Sequence, residues 1–338
     1  MNVILRNRSA LEFWRNAALV EARFNELDQQ LLKQGIFLNE EMPDSAACQL
    51  LAQVKRSMPA QFKTSIRKSE CLALASKYHL QLPLHIHSKR KSTDRPEPWL
   101  VSHHAPLAAR QLVRVEAGVF VVAPEQCLLD LAGELGKLDL LLVACELAGI
   151  YSIDEQTGKL PERTQMLTRE CLEQLLEETP QVRGAQNAHF AARYLVERAR
   201  SPREVALALL CALPYRSGGA NLPAPKLNYA VKLGKQAAEL YGAPECECDL
   251  CWPDARLAVF YESDSEHLNR HQLANDARRD AALQAEGVEA LRVTAEQLAN
   301  SKQANEAIGA IAQKLGCRIR PRCADYAMRQ EALRQRVL

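Results

Sequence analysis

The stretch Asp249–His267, DLCWPDARLAVFYESDSEH, decides how this chain is read. Two apolar runs flank a turn at Trp252-Pro253-Asp254, the pattern of a β-hairpin. The second run ends in Glu262, Asp264, Glu266 and His267. An apolar hairpin with acids and a histidine at its tip places polar chemistry at the end of a buried strand. Glu262 shares strand parity with Phe260 and Ala258.

Working outward, ECECDLC carries the first hairpin strand back to Glu245, and LPAPKLNYAVKL precedes it as a strand with Tyr229 and Val231. Downstream, HLNRHQLANDARRDAALQAEG reads as a helix with a basic, acid-spaced face. VEALRVTAEQL reads as a strand feeding a helix. Asp276 and Asp280 lie one helical turn apart, and Arg279 is placed to pair with acids there. Upstream, SPRE reads as a helix start, with Ser201 as N-cap, Pro202 in the first helical position and Glu204 completing a capping box. The order αββ(β)αβα predicts an α/β domain over 201–312, a mixed sheet flanked by helices.

The chain has 338 residues, 47 % of them hydrophobic and 25 % charged, with a net charge of +2. Two domains fit that length, and bulk charge selects no partner. No apolar run reaches the ~18 residues of a membrane span, and MNVILRNRSALEFWRN lacks a signal-peptide pattern. The expectation is a cytoplasmic protein with no membrane partner. Of eleven cysteines, six sit in helix or strand patterns flanked by Leu and Ala and read as small hydrophobes. ECECDLC has the spacing of a soft-metal site, but strand alternation sends Cys246 and Cys248 to one face and Cys251 to the other. A zinc site would also need a distant fourth ligand, so free thiols are expected.

Residues 8–34 carry Leu11, Trp14, Ala18, Val20, Phe24, Leu27 and Leu31 at helical steps. A second helix is expected after Pro43, with Asp44 or Ser45 as N-cap, and a third in TSIRKSECLALASKYHL. A helical region over 1–80 follows, with basic faces that are either solvated or DNA-reading. LQLPLHIHS and WLVSHH read as strands, LVRVEAGVFVVAP as a hairpin turning at Glu116-Ala117-Gly118, and PEQCLLDLA as a helix opening after Pro124. These make a small α+β unit over 81–150, with Asp130 capping or pairing locally and His85, His87, His103 and His104 at the surface. Residues 151–200 read as a helical connector, with the domain boundary just before Ser201.

The basic loop KRKSTDRPEP, the HH strand, the hairpin and PEQCLLDLA together resemble the AbiEi-type antitoxin and regulator family over about 65 residues. That resemblance implies a regulator, with self-association or a toxin-like partner protein. SPRE, DLCWPDARLAVFYE and NDARRDAALQAEGVEALRVT resemble the Vsr-like endonucleases, which have the PD-(D/E)xK, restriction-endonuclease-like fold, over roughly residues 201–300. Many domains of that group read VEYDG where this chain reads VFYES, which puts Phe260 at their usual acid. The mismatch-repair branch itself has Phe there, with histidines at the positions of Glu262 and His267. This resemblance implies a metal-dependent DNA endonuclease or nickase using Mg²⁺. It implies Asp249 as metal ligand, Glu262 as second ligand, His267 as acid or base and Glu204 as a helix-start acid beside the metal. A catalytically impaired DNA-binding regulator and a protein-interaction module are the alternatives.

The tail over 313–338, in KLGCRIRPRCADYAMRQEALRQRVL, holds seven Lys/Arg against two acids. Arg318, Arg320 and Arg322, with Lys89, Arg90 and Lys91 of the earlier loop, are the candidate contacts to DNA phosphates. Tyr326 is placed for base stacking.

Overall fold

The computed structural model of the chain describes residues 2–22, 25, 59, 61–63, 66–88, 97–108, 111–154, 157–263 and 270–338. The helix expected after Pro43, the basic loop Lys89-Arg90-Lys91 and the segment with Asp264, Glu266 and His267 lie outside the described residues. The chain divides into two compact units, Met1–Leu195 and Val196–Leu338.

Unit 1 is built on a five-stranded mixed sheet of order β3-β2-β1-β5-β4. Its strands are β1 (Val3–Leu5), β2 (Leu84–His87), β3 (Leu100–His103), β4 (Leu112–Glu116) and β5 (Val119–Val122). β1 is three residues long, yet it is the middle strand. It runs parallel to β5, with Val3 opposite Val119 and Leu5 opposite Val121, and antiparallel to β2 at Leu5–Ile86. The expected separation of a helical region (1–80) from an α+β unit (81–150) therefore does not hold, because both contribute to one sheet. A run of Val-Ile-Leu buried on both faces shows no alternation, so periodicity could not reveal it.

Helix α1 (Asn7–Arg15) follows at once, and its Phe13 and Trp14 are about 1 % exposed. The two rings meet edge to face at 5.1 Å, and Trp14 Nε1 donates to the Val122 carbonyl at 2.8 Å, tying α1 to β5. The helix expected over 8–34 breaks at Asn16, whose Oδ1 accepts the Leu19 N–H and caps a second helical segment over 17–22. Helix α2 (Lys68–Tyr78) follows the expected third helix. α3 (Pro124–Leu131) starts with Pro in its first turn, and α4 is Lys137–Leu147. The stretch read as a connector holds α5 (Arg169–Glu178) and α6 (Ala185–Tyr194). Their Leu172, Leu175, Leu176, Ala188 and Ala191 are buried, so residues 151–195 complete the core of unit 1.

Unit 2 has a four-stranded mixed sheet, β6-β7-β8-β9, of β6 (Lys226–Lys232), β7 (Glu245–Trp252), β8 (Leu257–Glu262) and β9 (Glu289–Thr294). β6, β7 and β8 are antiparallel neighbours. β8 and β9 are parallel and joined through helix α9 (Arg270–Ala285), with α8 (Lys235–Tyr241) between β6 and β7. α7 (Pro202–Ala212) opens the unit. After β9 come α10 (Ala295–Ala299), α11 (Ser301–Lys314) and α12 (Tyr326–Val337).

The basic tail is part of this fold. α12 packs on α7 and buries Leu333 and Val337. Tyr326 sits edge-on to Tyr215 at 5.5 Å, half-buried, so it is not a free stacking platform. The helix is seated on Gly218 (φ 90°), where a Cβ would lie 2.3 Å from the Arg329 carbonyl oxygen. Gly218→Ala combines a left-handed backbone with that clash. It should cost about 1–3 kcal/mol and speed amide exchange in α12 more than in α7.

Candidate active site

The acids of unit 2 gather where α7 meets β6 and β7. Ser201 Oγ accepts the Glu204 N–H at 3.2 Å, the expected N-cap bond. The Glu204 carboxylate does not complete the box on Ser201. Its Oε2 accepts the Arg200 N–H at 2.9 Å and Asn228 Nδ2 at 2.7 Å, and its Oε1 accepts the Ser201 hydroxyl at 2.9 Å. Asn228 stands opposite Asp249, between the pairs Leu227–Leu250 and Tyr229–Cys248, with φ 46°. Asparagine is depleted inside strands, so Asn228 was the one legible hint of this site that sequence reasoning missed.

Asp249 Oδ2 accepts the Tyr261 N–H at 2.7 Å, a side-chain bond where a ladder bond would otherwise form. The β7–β8 register holds only over Leu250–Trp252 against Leu257–Val259. Strand alternation is broken at this point. Cys246, Cys248 and Cys251 share one core with Ala258, Phe260 and Leu283, against the expectation that Cys251 faces away. Cys248 hydrogen-bonds both other thiols, which raises its own pKa. The bond that it gives to Cys246, with a second from Tyr241, brings Cys246 down to about 7. The ten described cysteines are all free.

Glu204 and Asp249 are both held above the ordinary carboxylate range, chiefly by burial. Asp249 adds repulsion to Glu204, against the hydrogen bonds from Arg200 and Asn228. For Asp249, the Tyr261 N–H and then the charges of Arg279 and Arg200 act in the opposite direction. Asp249 Oδ1 accepts no hydrogen bond among the described residues.

Glu262 ends β8 and pairs with Arg292 at 2.9 Å. Arg292 also holds Asp280 of α9 at 2.9 Å. Phe260 is buried, with the Arg279 guanidinium 3.9 Å over its ring, and Arg279 pairs with Asp276 at 2.7 Å. Arg200 pairs with Glu247. The structure thus brings Glu204 and Asp249 together and gives Glu262 a different partner. Arg318, Arg320 and Arg322 are exposed on the extended segment before α12. His267 and Lys89-Arg90-Lys91 are outside the described residues.

Unit 1 holds a second polar cluster. Arg6, 1 % exposed, gives Nε to Asp130 Oδ2 at 2.7 Å and Nη2 to Asp130 Oδ1. Its Nη1 reaches His87 Nδ1 at 3.0 Å and the Ala105 carbonyl at 2.8 Å. Asp130 therefore pairs locally, accepting Gln126 Nε2 at 2.7 Å, and also with Arg6 across 124 residues. The strand histidines are not at the surface either. His85 and His87 are buried, and His85 Nδ1 lies 2.9 Å from His103 Nε2.

Burial first, then His103 for His85 and Arg6 for His87, pushes both imidazoles down to about 4. The unfolded chain, with ordinary histidines near 6.5, takes up protons first as pH falls. Their contribution is present above pH 6.5 and is lost toward pH 4. The raised carboxyls of unit 2 act in the opposite sense. Between pH 7 and 5 the melting of unit 1 should fall by roughly 5 °C, with little loss in unit 2. Scanning calorimetry at the two pH values checks this.

Comparisons with protein-family models, with curated proteins and with solved structures find no match for this chain. The fold defines a mixed α/β protein, and among the described residues no helix is long and apolar enough to cross a membrane.

Proposed function

We propose that unit 2 is a metal-dependent phosphodiesterase acting on DNA, with a restriction-endonuclease-like sheet. The observation that carries this reading is the buried carboxyl pair. Glu204 and Asp249 repel each other, and neither forms an ion pair among the described residues. Two buried acids in that state are costly unless a cation or proton joins them.

The donor set fits a hard cation. Among the described residues Asp249 Oδ1 has no donor on it, and the Tyr261 N–H fixes the carboxylate's orientation. Among the described residues no three His, Cys, Asp or Glu groups form a metal cage. Mg²⁺ binds through one or two carboxylates and keeps water and phosphate oxygens as its other ligands. Bound there, Mg²⁺ would lower the pKa of a water and offset charge on the phosphoryl group. Asp249 would hold it, Glu204 would add negative charge, and the exposed Arg318, Arg320 and Arg322 would meet DNA phosphates.

The test is plasmid nicking in Mg²⁺ or Mn²⁺ by the full chain and by Asp249→Asn, which keeps an acceptor for the Tyr261 N–H. Cleavage should fall about 100-fold or more; undiminished cleavage would refute the assignment. The same substitution should stabilise the metal-free protein at pH 7 by about 1 kcal/mol. It removes a carboxylate whose ionised form is disfavoured by burial, and the gain should fade as pH falls into the raised carboxyl range.

A second reading, a DNA-binding regulator with an impaired site, is favoured by the Arg292–Glu262 and Arg292–Asp280 pairs, which occupy the proposed second ligand. It predicts salt-dependent DNA binding without cleavage, unchanged by Asp249→Asn.

A further inference from the structure

Unit 1 contains a cavity of about 620 Å³ walled by the loop after β3, by α3 and by the segment after α5. Such a volume is in the range of small-molecule sites. The Arg6–Asp130 pair lies in its wall. Arg6 is committed to Asp130, His87 and the Ala105 carbonyl, so this pair offers neither charge to a ligand. Glu134 is held by Asn7 and Arg8.

The buried groups left over are neutral, while Arg183 and Glu178 stand exposed at the rim. Gln111 and Gln126 line the cavity and are 4 % and 5 % exposed. The orientation of each amide is fixed by its partner. Gln111 Oε1 accepts the Ala108 N–H at 2.6 Å, leaving Nε2 as a donor uncommitted among the described residues. Gln126 Nε2 donates to Asp130 Oδ1 at 2.7 Å, leaving Oε1 as an acceptor uncommitted among the described residues. His104 Nδ1 faces the Ser88 carbonyl at 3.1 Å. Only an N–H can do so, which leaves Nε2 as an acceptor in the neutral ring. Leu129, Pro106 and Val182 supply apolar wall.

One donor and two acceptors, without net charge and between apolar surfaces, match the hydrogen-bonding edge of a flat heterocycle. Arg183 could meet an anionic group at the rim, but among the described residues the buried end offers a charged ligand no free counter-charge. We infer that this cavity binds a neutral planar heterocycle of the nucleobase class, as a free nucleoside or as an unstacked base of a single strand. The pairing of glutamine amides with base edges is a general mode of such recognition.

The experiment is calorimetric titration of the full chain with adenosine, guanosine, cytidine, uridine and thymidine, and with short single-stranded dA and dT oligomers. Gln111→Glu keeps the acceptor for Ala108 and replaces the donor by an oxygen. Ala105→Trp fills the mouth from an exposed position and serves even where Gln111→Glu fails to fold. At least one nucleoside or oligomer should bind one to one with Kd below about 1 mM, and each folded variant should weaken it about tenfold or more. Binding of nucleosides identifies free ligand as the source, and binding of oligomers alone identifies a strand. No binding of any probe, or binding that Ala105→Trp leaves unchanged, overturns the inference. Asp249→Asn should bind equally well, so this result is separate from that of the nicking assay.

Discussion

Arg6→Met is expected to destabilise unit 1 by about 3–5 kcal/mol, the cost of stranding a buried charge. Among the described residues Asp130 would keep only the Gln126 amide as a side-chain donor, in a site where its side chain is 4 % exposed. His87 would lose its Nη1 partner, and the Ala105 carbonyl would lose a donor. The control is Arg6→Met combined with Asp130→Leu, which removes both charges. It should be less damaging than the single change, because the desolvation penalty goes with the pair. Urea denaturation of the cycle measures this. A second readout follows from charge: Arg6 is the first electrostatic neighbour that disfavours protonated His87, so Arg6→Met should also soften the loss of stability below pH 6.5.

Trp14→Ala should have a similar effect, about 3–5 kcal/mol. The ring is fully buried, edge-on to Phe13, and its N–H satisfies the carbonyl of Val122 at the end of β5. Removing it opens a large cavity and orphans that carbonyl. Trp14→Phe fills most of the space but cannot donate, so its cost should be nearer the 1–3 kcal/mol of an unmade buried hydrogen bond. Equal losses for the two variants in urea melts would show that the hydrogen bond, not the volume, holds α1 in place.

Both residues show what was legible in the sequence. Trp14 stood out through helical spacing, and so did the hairpins Leu112–Val122 and Glu245–Glu262 and the Ser201 cap, because local pattern carries them. Arg6 did not, because its partner is 124 residues away and no local pattern encodes such a pair. The surface position expected for histidines in a loop-rich unit does not hold, because β2 is buried on both faces through His85 and His87. At the acidic site, the proximity of Glu204 to Asp249 depends on tertiary packing of α7 against β7. The diversion of Glu262 to Arg292 depends on β9 lying parallel beside β8. The expectation that Cys251 faces away failed because alternation does not carry through Asp249, where the strand departs from it.

The short central strand of unit 1 has a consequence for how the chain is made. Val3-Ile4-Leu5 leaves the ribosome before the rest of its sheet, and its longest partner, Val119–Val121, follows 116 residues later. At ordinary elongation of about 5–20 residues per second, that is a wait of roughly 6–23 s. Through that interval a fully apolar tripeptide has no β5 edge to join, and Arg6 beside it has no Asp130. The sheet of unit 1 can therefore close only after β5 has emerged. An early nascent chain is the form most exposed to chaperone capture or to pairing with a neighbouring copy.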